Sequence, residues 1–204
     1  MKKLCQAPGL GGELKICDEA LPILDTRGWI TAEEPTEGPD EFHDKILEHI
    51  LSGKSCHISG PPGVGKSFLL RRIYEALIAK GELVQTVAPT NAAARLVAPA
   101  RTVHNFVSRM LTNSRGFGGT ILEDECSMLS TALVSCLENL RLSGARIITL
   151  GDFNQLPPPC NSWRGTSVEP LILRNSQLLM QWSDHYEFKL TRCRRSNIEH
   201  FSFT

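Results

Sequence analysis

The chain of 204 residues carries 22 Lys and Arg against 22 Asp and Glu, with 41% hydrophobic and 22% charged residues and zero formal charge. That composition suits one ordered domain, or one with a short appendage, and excludes wholesale disorder. It also argues against a polybasic mode of binding, though not against a local basic groove.

No apolar run reaches the roughly 18–20 residues that a membrane span needs. Met1-Lys2-Lys3-Leu4-Cys5-Gln6 has no apolar stretch behind it, so no secretory signal is expected. The 7 cysteines are widely spaced and contain no CxxC pair. Free thiols in an intracellular, reducing compartment (cytoplasm or nucleus, or a viral or mobile-element product) are expected, rather than disulfides or zinc.

Residues 1–39 read as an N-terminal extension and acidic linker. Gly9, Gly11, Gly12, Pro22, Pro35, Gly38 and Pro39 break every periodic pattern there, and Glu33 to Glu41 is acidic and polar. Leu21 to Ile30 leaves room for one short element. Residues 40–204 read as the main domain, in which helices and strands alternate. Phe42, Ile46, Leu47, Ile50 and Leu51 fall at helical spacing behind Asp40 as N-cap. Strands are expected at Ser55–Ser59, Leu83–Ala88, Thr120–Leu122 and Ile147–Leu150. Helices are expected at Ser67–Ala79, ended by Gly81, and at Asn91–Val97, Thr102–Leu111 and Ser127–Leu142. Short apolar strands between helices predict an α/β fold, a central parallel β-sheet with helices on both faces.

Gly60-Pro61-Pro62-Gly63-Val64-Gly65-Lys66-Ser67 fits G-x-x-x-x-G-K-[ST], the Walker A loop, between an expected strand and an expected helix. Its glycines let successive N–H groups curl toward phosphate oxygens, and the helix that continues through Phe68 adds its positive end. Lys66 would reach the β- and γ-phosphates, and Ser67 would offer its hydroxyl to Mg²⁺. A second strand ends in Glu123-Asp124-Glu125, as a Walker B strand does, on the same sheet edge. Alternation aims Asp124 and Glu125 apart, so Asp124 is assigned to the metal and Glu125 to the water-activating base. Glu123 is expected to cap a helix or face solvent. Gln155, in Gly151-Asp152-Phe153-Asn154-Gln155, follows the fourth strand and could sense a γ-phosphate.

The order GPPGVGKS, DECSM, GDFNQLPP resembles motifs I, II and III of superfamily 1 helicases. Ala88-Pro89-Thr90-Asn91 is similar to motif Ia, Thr102-Val103-His104 to a T-x-H segment, and Leu190 to Ser196 to motif IV. The pattern is most similar to the RecD- and Dda-like branch, over residues 42–197. The resemblance implies a RecA-like P-loop NTPase motor domain that uses ATP and Mg²⁺ and translocates 5′ to 3′ on single-stranded DNA. It implies that Pro89, Thr90, Asn91 and His104 lie on the nucleic-acid backbone. It implies that Gln155 couples nucleotide state to DNA, and that Arg195, ahead of Arg194, touches the γ-phosphate. Phe106 is read as a core residue before a base-stacking one.

Phe42 and His43 stand near where that group places an adenine-reading glutamine, which leaves base specificity open. The segment from Phe106 to Ile121 has room for a glycine loop, not a strand-separating hairpin. Motifs V and VI and a second RecA-like domain are not among the 204 residues, so a partner domain in cis or trans is expected. The expected function is the ATP-hydrolysing motor of a helicase acting on single-stranded nucleic acid, DNA before RNA. The alternative is a nucleotide-dependent nucleic-acid or protein binding module that does not unwind. A GTPase would carry an N/T-K-x-D string, and none occurs.

Overall fold

The computed structural model describes residues 23–24, 28–36, 41–91, 94, 99–112, 116–155, 162–163, 166–167 and 171–194. The strands of the main sheet are β1 (Ile23–Leu24), β2 (Ile30–Glu33), β3 (His57–Ser59), β4 (Val84–Ala88), β5 (Ala100–Thr102), β6 (Thr120–Glu123), β7 (Arg146–Gly151) and β10 (Tyr186–Lys189). Between them, β8 (Ser162–Trp163) and β9 (Thr166–Ser167) pair with each other. The main sheet runs β1-β2-β10-β3-β7-β6-β4-β5, and every pairing is parallel except β1 with β2.

The helices are α1 (Phe42–Leu51), α2 (Lys66–Ala79), α3 (Val103–Thr112), α4 (Thr131–Leu142), α5 (Leu171–Arg174) and α6 (Gln177–Trp182). Alternation along the strands divides the core into two layers. Leu122, Ile148, Leu150, Ile58 and Phe188 pack under α1 and α2, through Ile46, Ile50, Leu69, Leu70 and Ile73. Val87, Ile121 and Ile147 face the other way, under α3, α4 and α6, against Phe106, Leu137 and Trp182. Helices on both faces of a largely parallel sheet are thus what the structure shows. Parallel strands place their carboxyl ends on one edge, so residues 60–67, 89–91, 124–125, 152–155 and 190–194 share that edge.

Several local expectations change. The helix expected over Ser127–Leu142 is two pieces, a 3₁₀ turn at Cys126–Met128 and then α4. Extended backbone at Leu129 (ψ 124°) and Ser130 (ψ 154°) breaks it. Helix α1 is capped by Glu41 with no side-chain bond, and Asp40 lies outside the described residues. Of the helix expected at Asn91–Val97, only Asn91 and Ala94 are described, both helical, with the Ala94 N–H donating to the Thr90 carbonyl at 3.0 Å. Strand β2 falls inside the stretch read as an extension, yet it pairs with β10 along Ile30–Glu33. No described helix is long and apolar enough to cross a membrane.

Candidate functional site

Strand β3 delivers the chain directly into the phosphate loop, and α2 begins at Lys66. Gly63 (φ 86°) and Gly65 (φ 93°) adopt the left-handed conformation that lets the loop curl. Lys66 is 8% exposed, and its Nζ donates to the carbonyls of Gly60 (2.6 Å) and Pro61 (3.0 Å). Burial lowers its pKa, and the nearby charges of Glu125, Asp152 and Asp124 oppose that shift. Ser67 and Phe68 are exposed at the mouth of the loop, the Phe68 ring centroid 6.4 Å from that of buried His43. Pro61, Pro62 and Gly63 are partly or fully exposed, and Val64 is buried.

The acids arrive from β6. Asp124 is 4% exposed, and its Oδ1 accepts the Glu125 N–H at 3.1 Å. Burial, then repulsion from Glu125, pushes its pKa up to about 6, against the pull of Lys66. An acid held above its ordinary range in this way has a use for a cation, which fits the metal-holding role. Glu125 sits at φ 62°, ψ 41°, a left-handed conformation that costs a non-glycine residue on the order of 1 kcal/mol or more. The backbone thus leaves the line of the strand at Glu125, so a turn as well as alternation sets Glu125 apart from Asp124.

Glu123 is a correction: it neither caps nor meets solvent. It is 0% exposed on the α3/α4 face, paired in register with Val87 and Thr149, and burial raises its pKa well above the carboxylate range. The last strand residue before the acids still lies inside the sheet.

Strand β7 brings the third segment. Gly151 lies so close to the turn after β6 that a Cβ there would stand 2.7 Å from the Cys126 Sγ, so only glycine lets the two strand ends meet. Asp152 follows, 7% exposed. Its Oδ1 accepts the Asn154 N–H (2.9 Å), and its Oδ2 accepts the Gln155 Nε2 (3.1 Å). Gln155 is therefore aimed by Asp152, a residue to which the sequence pattern alone gives no role. Asp152 also adds to the negative field on Lys66.

Of the motif IV arginines, Arg195 lies outside the described residues. Arg194 rests on the phosphate loop: its backbone N–H donates to the Gly63 carbonyl (2.9 Å) and its Nη1 to the Val64 carbonyl (3.0 Å).

Toward the β5 edge of the sheet, an open groove of about 420 Å³ is lined by Asn91, Ala94, Pro99, Ala100, Arg101, Thr102 and Asn105. Thr90 is half-buried and Pro89 likewise, while Asn91 and His104 are exposed beside it. The N–H of Asn105 donates to Thr102 Oγ1 at 3.3 Å, fixing the start of α3. Exposed Arg101 supplies a cation there, and its position just before T-x-H was the available signal. Phe106 is 3% exposed and stacks edge-on to Phe117 at 5.2 Å, which makes it a core residue.

Residues 43–162, more than half the chain, match the AAA domain family. The chain belongs to that family. This AAA domain is 30% identical over 156 residues to the ATP-dependent RecD2 DNA helicase of Deinococcus radiodurans, covering 68% of the chain and 21% of the relative. It is 26% identical over 188 residues to the ATP-dependent DNA helicase dda of Enterobacteria phage T4, covering 82% and 41%. Among solved structures, the Pif1 helicase of Candida albicans superposes with a TM-score of 0.57 at 24% identity, covering 76% of the chain and 40% of that structure. A Bacteroides Pif1 in complex with ADP-AlF3 and ssDNA gives 0.55 at 18%, covering 80% and 44%. The likeness to these structures confirms the RecA-like fold, and the motif resemblance to superfamily 1 motor domains is borne out. The chain spans between about a fifth and two fifths of these two relatives' length.

Proposed function

We propose that the chain is the ATP-binding and ATP-hydrolysing motor domain of a superfamily 1 helicase that acts on single-stranded DNA. The observation that carries this reading is the convergence of Lys66, Asp124, Glu125 and Asp152 on one sheet edge, close enough for all three acids to act on the Lys66 charge. The helicase names of the relatives, and the ssDNA in the complex of the Bacteroides Pif1, support the same reading.

Each residue then has a task. Lys66 exchanges the Gly60 and Pro61 carbonyls for β- and γ-phosphate oxygens, which are stronger, charged acceptors. The loop N–H groups and the end of α2 hold the rest of the polyphosphate. Ser67 and Asp124 are the residues that would hold Mg²⁺, which when bound neutralises charge on the phosphates. Glu125 takes the proton of the attacking water. Gln155, aimed by Asp152, couples the nucleotide state to the nucleic acid. Pro89, Thr90, Asn91, Arg101 and His104 seat the nucleic-acid backbone along the groove, where Asn91 opens a helical turn.

The reading is tested by turnover against binding. Glu125→Gln keeps the shape of the side chain but cannot accept a proton. It is expected to bind Mg–ATP within about threefold of wild type and to lose at least about 10²-fold in hydrolysis rate. A variant that hydrolyses ATP as fast as wild type would place the base elsewhere.

A further inference from the structure

Glu34 follows β2, in the acidic stretch that reads as linker, yet it is 3% exposed. Its Oε1 accepts Arg194 Nη2 at 2.6 Å, and its Oε2 accepts the backbone N–H groups of Thr191 (2.9 Å) and Arg192 (3.0 Å). Its own carbonyl accepts the Thr191 hydroxyl at 3.0 Å. Burial alone would raise its pKa; the bonds from Arg194, Arg192 and Thr191 outweigh it and lower it. One carboxylate thus gathers the segment after β10.

Arg194 carries that grip to the phosphate loop. It donates to the Gly63 and Val64 carbonyls, and its Cδ passes 3.2 Å from where a Cβ on Gly65 would stand. A trans peptide points its C=O and its N–H in opposite directions. Holding the carbonyls of Gly63 and Val64 toward Arg194 therefore turns the N–H groups of Val64 and Gly65 away from it. A phosphate-binding loop presents its amides on that opposite, concave side.

We infer that Glu34 and Arg194 are positioning residues for the phosphate loop. Glu34 aims the guanidinium, and Arg194 locks two peptide planes so that the Val64 and Gly65 amides are set before a nucleotide arrives. The inference rests on the nucleotide reading above. It gives strand β2, outside the motifs, a part in binding. Because the pair acts through the amides that cradle the inner phosphates, it serves a nucleoside diphosphate and a triphosphate alike. An arginine that touched the γ-phosphate would favour the triphosphate.

The experiment titrates Mg–ADP and a non-hydrolysable Mg–ATP analogue into the full chain, well below its melting temperature. Wild type is compared with Lys66→Ala, Glu34→Gln, Arg194→Lys and the Glu34→Gln/Arg194→Lys pair. Glu34→Gln and Arg194→Lys are each expected to weaken both nucleotides equally, by about 3–10-fold, the worth of one lost hydrogen bond. The double variant is expected to be no weaker than the weaker-binding single one, since the two act in series. Wild-type affinity in a folded Glu34→Gln or Arg194→Lys variant would overturn the positioning role. So would additive losses, or a loss confined to the triphosphate analogue. If Glu34→Gln does not fold, Arg194→Lys carries the same test. Wild-type affinity in Lys66→Ala would instead overturn the nucleotide reading beneath it.

Discussion

Asp124 stands where the strand's apolar surroundings and the site's need for charge conflict. Buried beside Glu125, it ionises only above about pH 6, whereas an unfolded aspartate ionises near 3.9. The folded state therefore holds the proton more tightly than the unfolded state. As pH rises through the window between those values, the fold loses stability, by about 3 kcal/mol in all. Asp124→Asn removes that titration. It is expected to stabilise the nucleotide-free protein by up to this amount at pH 8 and by little at pH 4. Denaturant unfolding at the two pH values checks the sign, and a variant less stable than wild type at pH 8 would contradict it.

At this scale the motifs made the placement of Lys66, Ser67, Asp124 and Glu125 legible, since each lies at the strand edge that its motif implies. It was not legible for Glu123, because three consecutive acids carry no mark of where the sheet ends. Glu34 was equally hidden: its partner Arg194 is 160 residues away, and nothing local distinguishes it from the solvated acids that follow.

The apolar strands β6 and β7 and the amphipathic helices α1 and α2 could be read from their sequence pattern, and their observed bounds differ from the expected ones by at most a residue or two. β10 could not. Its Tyr-Glu-Phe-Lys has the look of an exposed segment, yet Glu187 is buried, accepting the Ser59 hydroxyl at 2.7 Å. β2 and β5 are short and gain their strand character from neighbours distant in sequence. The break before α4 was likewise invisible, because Leu129 and Ser130 adopt extended backbone to let the Cys126 turn tuck against Gly151. α3 offers a test of the element's division of labour. Its Phe106 faces Phe117 and the core, while His104 and Asn105 on the same helix are exposed. Phe106→Ala is expected to cost about 3–5 kcal/mol of stability. Its affinity for single-stranded DNA, per folded molecule, should stay unchanged. A stable variant with weakened DNA binding would make Phe106 a stacking residue.

Across the whole molecule, the sheet places the phosphate loop, after β3, near its middle and the groove toward its β5 edge, with β7, β6 and β4 between them. The chain has no net charge to draw nucleic acid from a distance, so binding must come from local contacts. Arg101 and the neighbouring helix start can meet only a few phosphates. The affinity of the chain for single-stranded DNA is therefore expected to fall with salt at a shallow log–log slope of about 2–3, which Arg101→Gln lowers by about one. A slope of about six or more would mean a basic surface outside the groove. Both expectations depend on the edge where β3, β6 and β7 end being a nucleotide site. The most direct measurement of that is titration of a fluorescent Mg–ATP analogue into wild type and Lys66→Ala, with melting curves in parallel. Saturable binding by wild type, weakened at least about tenfold in a Lys66→Ala variant that melts like wild type, is the expected result. Equal affinity in the two proteins would contradict it.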